Sequence, residues 1–164
     1  MFKNLTQIPF DFPGKVYRTP LPYGDFDLGR TTFEELIRAE VNIYYSLVEP
    51  IEWISKAFLD SREKIKLNGI QRVEFPIRDF FTPSNAEDFQ AVVAEARQHA
   101  LDGKNIAVHC YAGIGRTGLF LAEMAVQHYG WDVHTAIKWL RETIPLAVEN
   151  DYQYKFLLKY HSKD

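Results

Sequence analysis

Short runs rich in β-branched and aromatic residues recur along the chain. Lys15–Arg18, Val41–Leu47, Ile70–Pro76 and Asn105–His109 have the length and composition of strands. Between them lie segments with apolar positions three and four apart. Thr31 and Thr32 open one, with Glu34 and Glu35 three residues on in capping-box spacing. Ile51–Leu67 reads as a second helix, ended by Asn68-Gly69, and its polar run 60–64 as a solvated face. A third helix spans Asn85–Leu101, with Phe89, Val92, Val93 and Ala96 on one stripe and Asp102-Gly103 as its stop. Thr117–Tyr129, His134–Thr143 and Asn150–Tyr160 read as three more, and residues 77–84 as a loop. Strands separated by helices predict an α/β fold: one domain over residues 1–164, with a central, mostly parallel sheet flanked by helices. Ligands of such sheets bind beyond the carboxyl ends of the strands.

Composition narrows the classes. With 164 residues, 46% hydrophobic and 25% charged, the chain has the balance of a soluble globular domain. Three Trp, nine Tyr and twelve Phe promise a core that needs no metal or disulfide staple. A net charge of −3 argues against a dedicated nucleic-acid binder. A single cysteine allows no internal disulfide and no thiolate zinc or iron–sulfur site, and no cofactor is expected. The apolar run Phe120–Val126 falls well short of the roughly 20 residues of a spanning helix, so no stable membrane insertion is expected. Met1–Phe12 holds Lys3 and Asp11 and no uninterrupted apolar stretch. It does not read as a signal peptide, and with a lone thiol the expected compartment is the cytoplasm.

The chemistry concentrates in Val108-His109-Cys110-Tyr111-Ala112-Gly113-Ile114-Gly115-Arg116-Thr117-Gly118. A buried strand delivers Cys110 to a turn of five residues, two of them glycine, and Arg116 and Thr117 open a helix. Backbone N–H groups of such a loop turn inward and form an anion nest at the positive end of a helix dipole. Gly113 and Gly115 permit the backbone angles this needs. The Arg116 guanidinium is a planar fork able to grip two oxygens of a phosphate. The loop is too short for a nucleotide triphosphate, and a Gly-Lys-Ser/Thr sequence is absent. A thiol in that field ionises readily and is a nucleophile aimed at phosphorus.

His-Cys, five residues, Arg, Thr is the signature of the protein tyrosine phosphatase superfamily of cysteine-based phosphatases, which this chain resembles over about residues 14–156. The loop His109–Gly118 looks like the tyrosine-phosphatase version. The short chain and the opening Gly14-Lys15-Val16-Tyr17-Arg18 look more like the dual-specificity branch. The resemblance implies catalytic roles for Cys110 as nucleophile, Arg116, Asp79 and Thr117, with Tyr111, Ala112, Gly113, Ile114, Gly115 and Arg116 binding phosphate. Asp79, 31 positions before Cys110 in Phe75-Pro76-Ile77-Arg78-Asp79-Phe80-Phe81-Thr82-Pro83, takes the place of the general acid on a mobile loop. Thr117 is expected to reach the Cys110 sulfur and help the thiolate leave. His109 points away from Cys110 across the strand, and the family role is structural, a hydrogen bond to backbone near the cysteine.

Three further residues are expected in support. Glu49, just past a strand end, is placed to pair with Arg116, with a plain surface glutamate as the open alternative. In Val148-Glu149-Asn150-Asp151-Tyr152-Gln153-Tyr154, Gln153 matches the second of two water-positioning glutamines of tyrosine-specific relatives. Glu149 replaces the first, which puts that role in doubt. The implied substrate is a phosphorylated protein, phosphotyrosine first and phosphoserine or phosphothreonine with it, because Tyr111 and Phe80 can line the pocket and positions 111–115 carry no lysine. Arg78 is the one basic residue expected to read a second phosphate. A phosphoinositide phosphatase and a phospho-binding module without activity stand as the alternatives.

Overall fold

Five strands form one sheet in the order β1-β2-β5-β3-β4. They are β1 (Thr6–Ile8), β2 (Val16–Thr19), β3 (Ile43–Ser46), β4 (Gln71–Glu74) and β5 (Ile106–His109). β2, β5, β3 and β4 run parallel, and β1 pairs antiparallel with β2 at one edge. The structure, a computed structural model, describes residues 1–161. Its helices are α1 (Thr32–Arg38), α2 (Glu52–Ser55), α3 (Arg62–Leu67), α4 (Ala86–Leu101), α5 (Gly115–Tyr129), α6 (Val133–Arg141) and α7 (Asp151–His161). The mostly parallel sheet flanked by helices is the fold class read from the sequence. No helix of the described residues is long and apolar enough to cross a membrane.

Side-chain alternation sorts the two faces of the sheet. Tyr44 and His109 project to one side, where Trp53 of α2 meets the His109 ring. Tyr45 projects to the other, against Phe120 of α5, with its hydroxyl on Glu95 of α4. β3 and β5 are buried along their whole length, as strands covered on both faces must be. Beyond their carboxyl ends the backbone stays tied. Leu47 N–H donates to His109 O (3.0 Å), Ile77 N–H to Leu47 O (2.9 Å) and Leu21 N–H to Tyr111 O (3.0 Å). The loops after β2, β3, β4 and β5 are thereby gathered at one rim.

Two local expectations are corrected. The segment 51–67 is two short helices, because Phe58 N–H is captured by Tyr23 O and Ala57 bridges to Gly24. The capping box at Thr31 does not form. Asp27 caps α1 instead, accepting from Thr32 N–H (3.0 Å) and its hydroxyl (2.6 Å). Glu35, fully buried, turns to the N-terminal segment and accepts from Asn4 N–H (2.9 Å), Asn4 Nδ2 (2.8 Å) and the Thr31 hydroxyl (2.6 Å). β1, three residues long, carries no pattern of its own and is held by this cluster.

Burial alone would raise the Glu35 carboxyl. Hydrogen bonds from Thr31, Asn4 and Leu5 outweigh it and hold the group below its ordinary value of 4.5. A depressed carboxyl stabilises the fold fully above the unfolded value and progressively less as pH falls through the folded one. Glu35→Ala is expected to cost about 2–4 kcal/mol at neutral pH, because several buried donors lose their acceptor. The deficit relative to the unaltered protein should shrink below pH 4.5. Urea unfolding at neutral and acid pH checks both, and an unchanged midpoint would show that the N-terminal segment is held by other contacts.

Candidate active site

β5 ends at His109, and the next residue, Cys110, lies 3% exposed on the floor of a cavity of about 370 Å³. Lys56, Asp79, Phe80, Tyr111, Ile114 and Glu149 stand around it. α5 begins at Gly115, two residues before the sequence pattern suggests, so Arg116 and Thr117 belong to its first turn. The nest is correspondingly tight. Gly113 has φ +79°, and a Cβ there would come within 2.5 Å of Thr19 O. A Cβ on Gly115 would run into the Glu149 carboxylate. Gly113 therefore requires glycine for its dihedral and its backbone contact, whereas a side chain at 115 would displace the Glu149 carboxylate.

Arg116 is buried, and its guanidinium is held on two of its edges. Nη1 and Nη2 donate to the two carboxylate oxygens of Glu52 (2.7 and 2.9 Å), and Nη1 also donates to Ile77 O (2.8 Å). Nε is buried and unpartnered, and Nη2 lies 3.3 Å from Asp79 Oδ1. Nε is therefore the one guanidinium nitrogen left without a protein acceptor. Asp79 also meets Lys56 Nζ (3.2 Å), so the loop carboxylate spans two cations above Cys110.

Glu49 does not pair with Arg116. The chain turns at Glu49-Pro50 into α2, and that turn aims Glu52 inward. Glu49 supplies only its backbone N–H, donated to Glu52 Oε2 (2.7 Å). Burial would raise the Glu52 carboxyl, but Arg116, the Glu49 N–H and Lys56 hold it below its ordinary range. Burial would likewise lower Arg116, and Glu52, Cys110 and Asp79 together hold it up. The two directions agree on a charged pair.

Residues 42–163 match the family described as "Dual specificity phosphatase, catalytic domain". The chain belongs to the dual specificity phosphatase catalytic-domain family. It is 33% identical over 89 residues to the mouse dual specificity protein phosphatase CDC14B, covering 54% of this chain and 18% of that protein. An uncharacterized protein of Methanocaldococcus jannaschii, MJECL20, is 34% identical over 89 residues, 54% of this chain and 58% of its own. The chain thus spans from under a fifth to just over half of these curated relatives. Among solved structures it resembles the kinase associated phosphatase with its catalytic cysteine replaced by serine (TM-score 0.84, 19% identity, 95% of this chain and 92% of that one). It also resembles Tk-PTP in the active form (0.78, 24%, 98% and 97%) and PTPMT1 in complex with PI(5)P (0.66, 19%, 89% of each). At such identities these likenesses show the fold alone.

Within this dual specificity phosphatase domain the remaining predicted residues find varied places. His109 is fully buried against Tyr44 and Trp53, and burial pushes its pKa down to about 3. It is a neutral ring whose Nδ1 donates to Cys110 O (3.0 Å), since a carbonyl only accepts. Thr117 is buried with its hydroxyl unpartnered, so the expected hydrogen bond to the Cys110 sulfur is not made in this structure. Tyr111 donates to Asp25 Oδ2 (2.7 Å), which together with burial pushes its pKa up to about 12, and Phe26 stands edge-on to its ring. Gln153 does not face the cavity. Its Oε1 accepts from Glu149 N–H (3.2 Å) and its Nε2 donates to Phe81 O (3.3 Å). Asn150 Nδ2 donates to Phe80 O (2.9 Å) beside it, so α7 tethers the Asp79 loop. Arg78 is exposed over the Phe81 ring, away from the cavity.

Glu52, Lys56 and Glu149 are the site residues that sequence reasoning placed elsewhere or left without a role. Glu149 reaches the cavity at the loop mouth. Burial and the charge of Asp79 raise its carboxyl, while Arg116 opposes. The unbroken helix read over 51–67 hid Glu52 and Lys56, whose i, i+4 pairing (3.2 Å) was the available signal. Removing one partner of a buried ion pair strands the other. Glu52→Ala should therefore cost about 3–5 kcal/mol in urea unfolding. Glu49→Ala should stay within about 0.5 kcal/mol of the unaltered protein. Equal losses would mean that Arg116 is oriented by the turn and not by the Glu52 carboxylate.

Proposed function

We propose that this domain hydrolyses phosphomonoesters through a phosphocysteine, with phosphorylated proteins as substrates, phosphotyrosine foremost. The single observation that carries the reading is the unpartnered Nε of Arg116, on a guanidinium fixed by Glu52 at the far end of the loop that starts at the one cysteine. A phosphoryl group set on that guanidinium and on the N–H groups of residues 111–116 brings its phosphorus to Cys110 Sγ. The sulfur attacks, and the ester oxygen leaves with the proton of Asp79. The fixed guanidinium and the nest stabilise charge on the equatorial oxygens as it redistributes. In the second step a water attacks the phosphocysteine, Asp79 takes its proton, and the sulfur departs as thiolate. Charge balance then returns inorganic phosphate and the starting enzyme. His109, neutral and walled in, holds the loop carbonyl and exchanges no proton.

Phe26, Phe80 and Tyr111 supply an apolar mouth suited to an aryl ester. The phosphoinositide alternative rests on the PTPMT1 complex and needs further cations for the extra phosphates. Lys56 is the one at the cavity wall, and two carboxylates already pair with it. We place the domain in the cytoplasm on the ground of its lone thiol.

Para-nitrophenyl phosphate tests the reaction, and the leaving group tests the acid. Turnover should vanish in Cys110→Ser, and turnover retained there would overturn the phosphocysteine. Asp79→Asn should lower kcat by about 10²–10⁴ for phenyl phosphate and far less for the nitrophenyl ester. Equal losses on the two esters would move the acid role to another residue. Comparison of a phosphotyrosine peptide with a soluble phosphoinositide decides the substrate class, and faster hydrolysis of the lipid would reverse the order proposed.

A further inference from the structure

A second arginine lies behind the nest, and the chemistry above does not use it. Arg18 stands in β2 in register with Val108 of β5. Paired residues of adjacent strands share a face, and faces alternate along a strand. Arg18 therefore projects to the side of Val108, the side on which Cys110, two residues further on, would continue the alternation. Its neighbour Thr19 projects to the other side, where it meets the Tyr44 hydroxyl. The Arg18 guanidinium reaches the underside of the loop: Nη1 is 3.0 Å from where a Cβ on Gly113 would stand. Its Nε is buried and has no hydrogen-bond partner. Among the described residues no carboxylate forms an ion pair with it.

Arg18 is half-buried, and a partly desolvated cation with an unpartnered Nε and no counter-ion is costly unless a negative charge compensates it. Arg116 is already matched by Glu52 and Asp79. The positive charge still unmatched near the thiol is that of Arg18. Burial pushes the Arg18 guanidinium down, and the charge that opposes this is Cys110. Arg18 lies behind the loop and is not among the residues lining the cavity.

We infer that Arg18 is a positioning residue for the nucleophile, stabilising Cys110 as a thiolate from the sheet side of the loop while Arg116 faces the ligand. The inference rests on Cys110 as the reacting group, and its readout requires no turnover. Because the chain has one cysteine, iodoacetamide alkylation followed across pH reports the thiolate of Cys110 alone. Removing the cation in Arg18→Met should move the midpoint of that profile upward. Alkylation near pH 6 should slow about tenfold, while the rate at high pH, where every thiol is ionised, is unchanged. Arg18→Lys, which keeps the charge, should stay close to the unaltered protein. An unmoved midpoint, or a change confined to the high-pH plateau, would overturn the inference, since the latter reports access rather than charge. Arg18→Gln serves if Arg18→Met does not fold. Failure of both uncharged variants to fold, with Arg18→Lys folded, would assign the charge to the fold and also overturn it. Should the profile shift as expected in a protein that hydrolyses no phosphate ester, the inference stands and the proposed function falls.

Discussion

The buried bidentate pair between Arg116 and Glu52 is the interaction on which the rest of the site depends. A guanidinium has a limited set of N–H directions, and here two edges are committed to protein acceptors. Nε alone is left without a protein acceptor. The pair also joins elements far apart in the chain. Glu52 comes from the short helix after β3, Arg116 from the first turn after β5, and the Ile77 carbonyl from the loop after β4. Breaking the pair would unfix all three.

The sheet makes this meeting possible. Four parallel strands end at one rim, and Leu47 serves as the hub there, accepting from Ile77 and donating to His109. The loop that carries Asp79 is thus hung from β3, the neighbour of the strand that leads to Cys110. From the far side, Asn150 and Gln153 hold the same loop by the carbonyls of Phe80 and Phe81. Phe80 itself sits at φ +67°, a left-handed position costly for a bulky side chain. A strained residue next to Asp79, with its own carbonyl and that of Phe81 gripped by two side-chain amides, describes a loop that is held in place and not merely parked.

Legibility in the sequence divides along the same line. The strand, turn and helix around Cys110 are contiguous, so residue type and spacing were enough to read that succession of elements. β3 and β5 were equally plain, since both are buried along their whole length and rich in apolar and aromatic residues. What escaped is what tertiary contacts decide. Nothing local distinguishes Glu49 from Glu52; only the turn at Pro50 does. The break at Phe58 is caused by the Tyr23 carbonyl, more than thirty residues earlier. Gln153 matched a pattern in spacing, yet its amide is spent on the Asp79 loop and Glu149 faces the cavity instead.

All of these contacts converge on the claim that Cys110 Sγ bonds to phosphorus during turnover. The most direct measurement is a rapid acid quench of the protein during hydrolysis of an aryl phosphate, with peptide mass spectrometry of the product. The account predicts one added phosphoryl group, on the peptide that contains Cys110 and on its sulfur. Phosphate released at full rate with no phosphorylated Cys110 at any quench time, or with the phosphoryl group on another residue, would contradict it.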